Sequence, residues 1–371
     1  MSIQSHERVP YVDIAAQHAP IKDELITAIS EVIDSGQFIH GEQVRTFEHQ
    51  FSELCEVPYS VAVNSGTDAM ILALRALSVG PGDEVITVPN SFVASTSCIA
   101  LVGARPVFVD VGPDLNMDVS LLEAAITPRT KAILPVHLTG RPSEMDPITE
   151  IADRHNLYVI EDCAQAVTAE YKGKKVGSIG TIGCFSLHPL KNLHVHGDGG
   201  IITTDNREIF KTIKKMHNHG LKNRDECEFW GWNSRLDEIN AAIANLKLDY
   251  LDDWNKRYRE IAKIYISELK GMVKTPKINE HEKPVFHRFI IEHEERDKLQ
   301  SFLHSRDIHT TINYPIPLHL QQAAKDLNYS KGDFPVTETQ SEKILSLPIY
   351  PELDDIQIEY VVDSVKEYCR N

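Results

Sequence analysis

Lys191 stands in the run C-F-S-L-H-P-L-K-N-L-H-V-H-G-D-G-G (184–200), five residues after Ser186 and just ahead of a glycine-rich turn. A lysine amine that is partly desolvated and held in place is a nucleophile toward carbonyls and can form a Schiff base with an aldehyde cofactor. One lysine is more often a solvated surface charge, so its meaning depends on what other stretches could join it. N-S-G-T-D (64–68) lies between a short apolar strand (60–63) and an alanine/leucine-rich helix (69–77). Strand, small polar turn and helix aim free backbone N–H groups and a positive dipole end at an anion. Gly66 allows close backbone approach, and Ser65 and Thr67 add hydroxyl donors; the same residues also suit an ordinary helix N-cap. In L-Y-V-I-E-D-C-A-Q-A (157–166) an apolar strand carries Asp162 at its end. A carboxylate there can pair with a protonated pyridine nitrogen, the pairing that makes pyridoxal phosphate (PLP) an electron sink. Metal binding and helix capping are the competing uses of such an acidic pair, and no second carboxylate cluster with magnesium-like spacing accompanies it.

The elements that must position these groups follow an alternating pattern. Strands are expected at 84–88, 106–109, 131–136 and 157–160, with helices at 94–102, 120–125 and 143–155 between them. Apolar strands alternating with helices imply a mostly parallel sheet covered on both faces, with ligands beyond the carboxyl ends of its strands. Those ends carry Asn64–Thr67, Ser91-Phe92, His137 and Glu161-Asp162. Helices at 21–33 and 43–54 flank S-G-Q-F-I-H-G (35–41), whose Phe38 and Ile39 either tuck into the core or line an interface or substrate mouth. Further on, 170–179 reads as a hairpin, 182–186 as a strand, and 206–217 as a helix with Asp205 as its N-cap. Helices at 236–250 and 251–269 follow, the second crossing to another domain. From about 280 the pattern becomes that of a smaller α+β domain, in which N-Y-P-I-P-L-H (313–319) is the place for substrate-facing groups. The expected division is 1–250 for a large cofactor-binding domain and 251–371 for the small one.

Bulk properties narrow the function. At 371 residues and a formal net charge of −16, with no basic run, the chain is unsuited to binding a nucleic-acid backbone. The six cysteines are scattered without a C-x-x-C pair, which argues against a zinc ribbon or disulfide framework. The N-terminus lacks the apolar centre of a signal peptide, and no apolar run approaches the ~20 residues of a membrane span. A cytoplasmic protein is expected. No G-x-G-x-x-G follows a strand, which disfavours a nicotinamide oxidoreductase.

Taken in order, S-G-Q-F-I-H-G (35–41), N-S-G-T-D-A-M (64–70), V-P-N-S-F-V-A-S (88–95), E-D-C-A-Q-A (161–166), S-L-H-P-L-K-N-L (186–193), G-D-G-G (197–200), R-L-D-E-I-N-A-A (235–242), N-Y-P-I-P-L-H (313–319) and L-S-L-P-I-Y-P-E-L (345–353) resemble the DegT/DnrJ/StrS family of PLP-dependent sugar aminotransferases. The resemblance spans almost the whole chain and implies the type I PLP-transferase α/β fold. It implies that Lys191 is the Schiff-base lysine and proton shuttle, Asp162 the pyridinium partner and Gln165 the partner of the cofactor's O3′. Phe92 would stack on the ring, and Gly66, Thr67 and Ser186 would cradle the phosphate. Asn233 would reach the phosphate of the neighbouring subunit's cofactor, implying a homodimer with shared sites; the competing use is capping the helix near 236. Tyr314 and His319 would face the substrate. The implied reaction moves an amino group from a donor, L-glutamate, to a keto sugar, nucleotide-linked in this family, and the implied metal complement is none.

Two departures from the family pattern are His194-Val195-His196 after K-N-L and Arg141 after Gly140. Alternating histidines could ligate a metal, given a third ligand, or shape the sugar pocket or turn. Rival readings are a sugar dehydratase of the same fold, against which Lys191 argues because those relatives have histidine there, and a non-catalytic PLP-binding regulator.

Overall fold

A computed structural model describes residues 8–370. Its strands, in chain order, are β1 (Tyr59–Val63), β2 (Glu84–Thr87), β3 (Arg105–Phe108), β4 (Thr130–Ile133), β5 (Tyr158–Asp162), β6 (Glu170–Tyr171), β7 (Lys174–Lys175), β8 (Ile182–Ser186), β9 (Gly200–Thr204), β10 (Glu282–Lys283), β11 (Phe289–Glu292) and β12 (Ile344–Leu347). Seven of them make one sheet in the order β1-β9-β8-β5-β4-β2-β3. Strands β3, β2, β4, β5 and β8 are parallel neighbours, and β9 alone runs against β8 and β1. The mostly parallel α/β sheet expected from the alternation is the one observed.

Both faces of this sheet are covered, which is why its strands read as apolar runs rather than alternating ones. Successive residues go to opposite faces. Val61, Cys184 and Ile202 join the core built with helices Gly66–Ala76, Ala94–Leu101 and Met145–His155. Ala62, Phe185 and Ile201 join the other core, with Phe47 and Phe51 of helix Glu42–Leu54 and Ala241 and Ala244 of helix Glu238–Glu268. A separate cluster holds Tyr258, Ile261 and Tyr265 from the far half of that last helix. With them pack Phe289, Leu345, Leu347 and the C-terminal helix, and also Val9 from the start of the chain.

The structure changes several local expectations. The two helices anticipated on either side of residue 250 are one helix, Glu238–Glu268, of 31 residues; no glycine or proline interrupts it, so nothing breaks the ladder. Asn206, not Asp205, caps helix Arg207–Met216, accepting from the N–H groups of Glu208 and Ile209. The small domain's two-stranded sheet begins at Phe289. Phe38 and Ile39 are exposed, which removes the core alternative for their loop. No described helix is long and apolar enough to cross a membrane.

Candidate active site

Because β1, β5 and β8 point the same way and β9 starts where they end, their termini meet at one edge of the sheet. Gly200, the first residue of β9, pairs with both Val63 and Ser186, which brings the 64–68 turn against the lysine loop. Two glycines make that approach possible. A Cβ at Gly200 would collide with the Ser65 carbonyl, and one at Gly66 would come to 2.7 Å from Ser186 Cβ. The cavity at this edge has a volume of about 390 Å³, and its wall includes Gly66, Thr67, Phe92, Asp162, Gln165, Ser186, Lys191 and Tyr314. Eight residues singled out from separate stretches of sequence thus share one pocket.

The charges are arranged for amine chemistry. Burial, with help from the Arg288 cation, pushes the Lys191 amine down to about 8, and Asp162 works in the opposite direction. An amine so placed is neutral far more often near pH 7–8 than a surface lysine, as a nucleophile and proton carrier must be. Asp162 is buried, and Oδ1 accepts from the Ala164 N–H at 3.1 Å while Oδ2 accepts from Ser95 Oγ at 2.7 Å. Ser91 Oγ lies 2.7 Å from Ser95 Oγ, extending the chain of hydroxyls. Ser65 caps helix Gly66–Ala76 by accepting from the Asp68 N–H, which is the N-cap use of this turn. Phe92 is half exposed over the pocket with its ring 5.9 Å from that of Tyr314. Burial pushes the Tyr314 hydroxyl up to about 12. Gln165 Oε1 accepts from the Thr139 N–H.

The family model for the DegT/DnrJ/EryC1/StrS aminotransferase family matches residues 20–366. The chain belongs to that family. It is 41% identical over 365 residues, 98% of this chain and 96% of the other, to a dTDP-3-amino-3,4,6-trideoxy-alpha-D-glucose transaminase of Streptomyces venezuelae. It is 42% identical over 360 residues, 96% and 97% of the two chains, to a UDP-N-acetyl-3-dehydro-alpha-D-glucosamine 3-aminotransferase of Acidithiobacillus ferrooxidans. The solved structure of S. venezuelae DesV in complex with a ketimine intermediate superposes with a TM-score of 0.97, at 40% identity, covering 99% of this chain and 100% of that one. The protein is therefore a PLP-dependent aminotransferase of the type I fold. Its pocket fits the cofactor: the Gly66–Ser186 cradle is tight enough to exclude even a methyl group, backbone N–H groups open the adjoining helix, and a buried carboxylate and a desolvated lysine face the same space.

Two residues of the sequence reading lie elsewhere in this aminotransferase. His319 does not line the pocket. Its turn packs on Phe334, its ring is buried, and Nε2 sits 2.9 Å from Glu338 Oε1, a carboxylate that also accepts from the Gly332 N–H. Asn233 is exposed and absent from its own chain's pocket. It is not the cap of the following helix, which begins at Glu238 with Asp237 at the N-cap position. Its neighbour Ser234 is buried and donates to Asn64 Oδ1, fastening this loop beside the 64–68 turn.

The departures also find their places. Arg141 is buried and makes a two-bond ion pair with Glu282 of β10, Nε at 2.8 Å and Nη2 at 2.9 Å, so it ties the large sheet's edge to the chain's return. His194 Nδ1 bonds the Lys191 carbonyl at 3.0 Å, and its Nε2 lies 3.1 Å from His18 Nε2, which is 2.9 Å from Lys247 Nζ. His196 packs on the His18 ring. Of the paired acids, Asp162 enters the pocket while Glu161 turns to the other side of its strand, accepting from the Gly177, Ile179 and Gly180 N–H groups and facing His137.

Ser95, Arg288, Tyr11 and Asn313 were not singled out from the sequence. Arg288 was detectable as a lone cation in the apolar run V-F-H-R-F-I-I (285–291), and Ser91 and Ser95 as a hydroxyl pair four apart where a helix begins. Tyr11 carries no such signal, since only folding brings it against Arg288 and Asn313 of the pocket wall.

Proposed function

We propose that this aminotransferase aminates a nucleotide-linked keto sugar, with L-glutamate as donor, in the cytoplasm as a homodimer with shared sites. The observation that carries the residue assignments is the convergence of Lys191, Asp162 and the Gly66–Ser186 cradle on one cavity. The substrate class is supported by the names of the relatives, two of which act on dTDP- or UDP-linked sugars with nitrogen at C3. A 3-keto hexose on a nucleotide is accordingly the first substrate to try.

PLP, when bound, withdraws electrons from the carbon that gives up its proton. Everything else is asked of the chain. Lys191 Nζ would hold the cofactor in the resting enzyme and, as a free amine, would take up and return the donor carbon's proton. Asp162 would pair with the protonated ring nitrogen, and Ser95 holds that carboxylate in place. Gly66, Thr67 and Ser186 would hold the phosphate, Phe92 would cover the ring, Gln165 would meet its oxygen and Tyr314 would face substrate. Asn233 serves the phosphate in the partner subunit, a reading supported by its exposure beside the 64–68 turn. His319 has no place in this scheme. Lys191→Ala is expected to bind PLP without the absorbance of the lysine adduct, to keep its circular dichroism spectrum, and to lose amino transfer by at least about a thousand-fold. Retained turnover would remove Lys191 from the chemistry.

A further inference from the structure

His18, His194 and His196 meet Lys247 against the backbone of Lys191, outside the cofactor cavity. His18 ends helix Ile14–His18, and the other two alternate on the stretch after Lys191. Both of their rings lie against that of His18, with centres 5.3 and 4.7 Å from it. A carbonyl only accepts, so His194 Nδ1, 3.0 Å from the Lys191 carbonyl, carries the hydrogen. In the neutral ring, the form burial favours, His194 Nε2 is then a bare lone pair. It faces His18 Nε2 at 3.1 Å, and Lys247 Nζ lies 2.9 Å from the same His18 atom. Three nitrogen bases thus share one small volume, and among the described contacts no carboxylate bonds any of them. His194 and Lys247 are buried, His18 is half-buried and His196 is exposed, which leaves a way in from solvent.

We propose that His18 and His194, with Lys247 as the third nitrogen, bind a divalent late first-row transition metal, zinc being the reference ion. Such donors suit Zn²⁺, Ni²⁺ and Cu²⁺, whereas Mg²⁺ and Ca²⁺ take oxygen. Two nitrogens about 2.0–2.1 Å from a tetrahedral ion stand roughly 3.3 Å apart, so the 3.1 Å between the two Nε2 atoms is close to the spacing required. The bond from the far nitrogen of His194 to a backbone carbonyl is the outer contact that orients a metal-binding imidazole. Lys247 joins as the neutral amine, its proton passing to solvent. His196 is the fourth donor. The three imidazoles do not bring one nitrogen each to within 4.8 Å of one another, so the exposed His196 side chain turns inward on binding. The two described clusters that do meet that distance are already spent. In His137–Glu161–Cys163 the carboxylate accepts three backbone N–H groups and burial keeps the thiol protonated. In Glu144–His281–Glu282 the Arg141 cation is paired with Glu282. The site belongs to the His194-Val195-His196 departure, and its metal fastens the chain's first helix to the backbone of Lys191 without entering amino transfer.

The test titrates Zn²⁺ by calorimetry into PLP-loaded enzyme freed of metal by a chelator, with Mg²⁺ as the control ion. One zinc ion per subunit is expected, and no magnesium. His18→Gln and His194→Gln should each weaken zinc binding by at least about 100-fold, more than the loss of an outer contact costs, and His196→Ala by about tenfold. Circular dichroism and PLP absorbance report whether each variant is folded. X-ray absorption of the zinc-loaded enzyme should show a first shell of nitrogen at about 2.0–2.1 Å, without sulfur. At a hundredfold excess of zinc over the dissociation constant, Tm should rise by about 3 °C in the wild type and not in His18→Gln. Absence of stoichiometric zinc, binding that survives both glutamine variants, or sulfur in the first shell would each overturn the proposal. Should His194→Gln not fold, unchanged binding in both His18→Gln and His196→Ala would overturn it equally.

Discussion

Ser95 Oγ sits between the Asp162 carboxylate and Ser91 Oγ, 2.7 Å from each. At this scale the site is a set of hydrogen bonds that leave each reactive group one role. The carboxylate has a donor on each oxygen, so it is fixed in direction and stays an acceptor toward whatever lies beyond it. Ser95→Ala removes one of those donors and leaves a buried oxygen short of a partner. PLP affinity, titrated into the apoprotein, is expected to fall about 10- to 100-fold, the effect of losing one hydrogen bond to a charged group, with Ser95→Thr restoring part of it. Unchanged affinity in the alanine variant would show that Asp162 does not depend on Ser95. His319 teaches the opposite lesson. Its motif resembles the family's substrate-side block, but Phe334 and Glu338 take up its ring, and no sequence pattern announces a partner nineteen residues away.

The elements are joined by charged groups whose partners lie far off in the chain. Helix Glu42–Leu54 begins after Gly41, which has no side chain to cap it; Glu238, at the start of the long helix, accepts from the Gly41, Gln43 and Val44 N–H groups instead. On that same helix Lys247 is fully buried, and its amine meets only His18 Nε2 among the described contacts. Burial pushes the amine from 10.5 down to about 7. Between those values the unfolded chain binds more protons at this lysine than the folded one, so stability rises with pH across the window, and the whole cost is present below about 7. Lys247→Met is therefore expected to unfold at higher urea concentration near pH 6.5, by about 1–3 kcal/mol, with the advantage shrinking toward pH 10. A variant less stable at pH 6.5 would mean that the amine is satisfied by an anion in the assembled protein.

On the scale of the whole molecule the prediction concerns a second subunit. Asn233 and Trp230 are exposed, as are Phe38 and Ile39, while Ser234 fixes the Asn233 loop beside the 64–68 turn. If Asn233 completes the partner's site, Lys191→Ala mixed with an Asn233 variant that cannot retain PLP should form heterodimers with one working site. That site has the intact lysine of one chain and the intact Asn233 of the other. Up to about a quarter of wild-type activity should return after random subunit exchange, since half the dimers are mixed and each has one of two sites. No recovery in demonstrated heterodimers would return Asn233 to its own subunit or remove it from the site.

What the sequence determined by itself was the chemistry and the layered fold. Apolar runs of strand length alternating with helical spacing require a covered parallel sheet, and the Lys191, Asp162 and Gly66 stretches each sit at a strand end, where such a sheet must place its ligand. These signals are local, within a dozen residues or so. The remaining features depend on contacts between distant segments. Arg288 gains its meaning from being 277 residues from Tyr11 in sequence and 2.6 Å away in space. His194 and His196 gain theirs from His18 and Lys247, and Arg141 from Glu282. In each case the side chain's identity was visible, but its partner was not. A charge can be read as solvated, paired or waiting for a ligand only once its neighbours in space are known, because the cost of burying it depends on them.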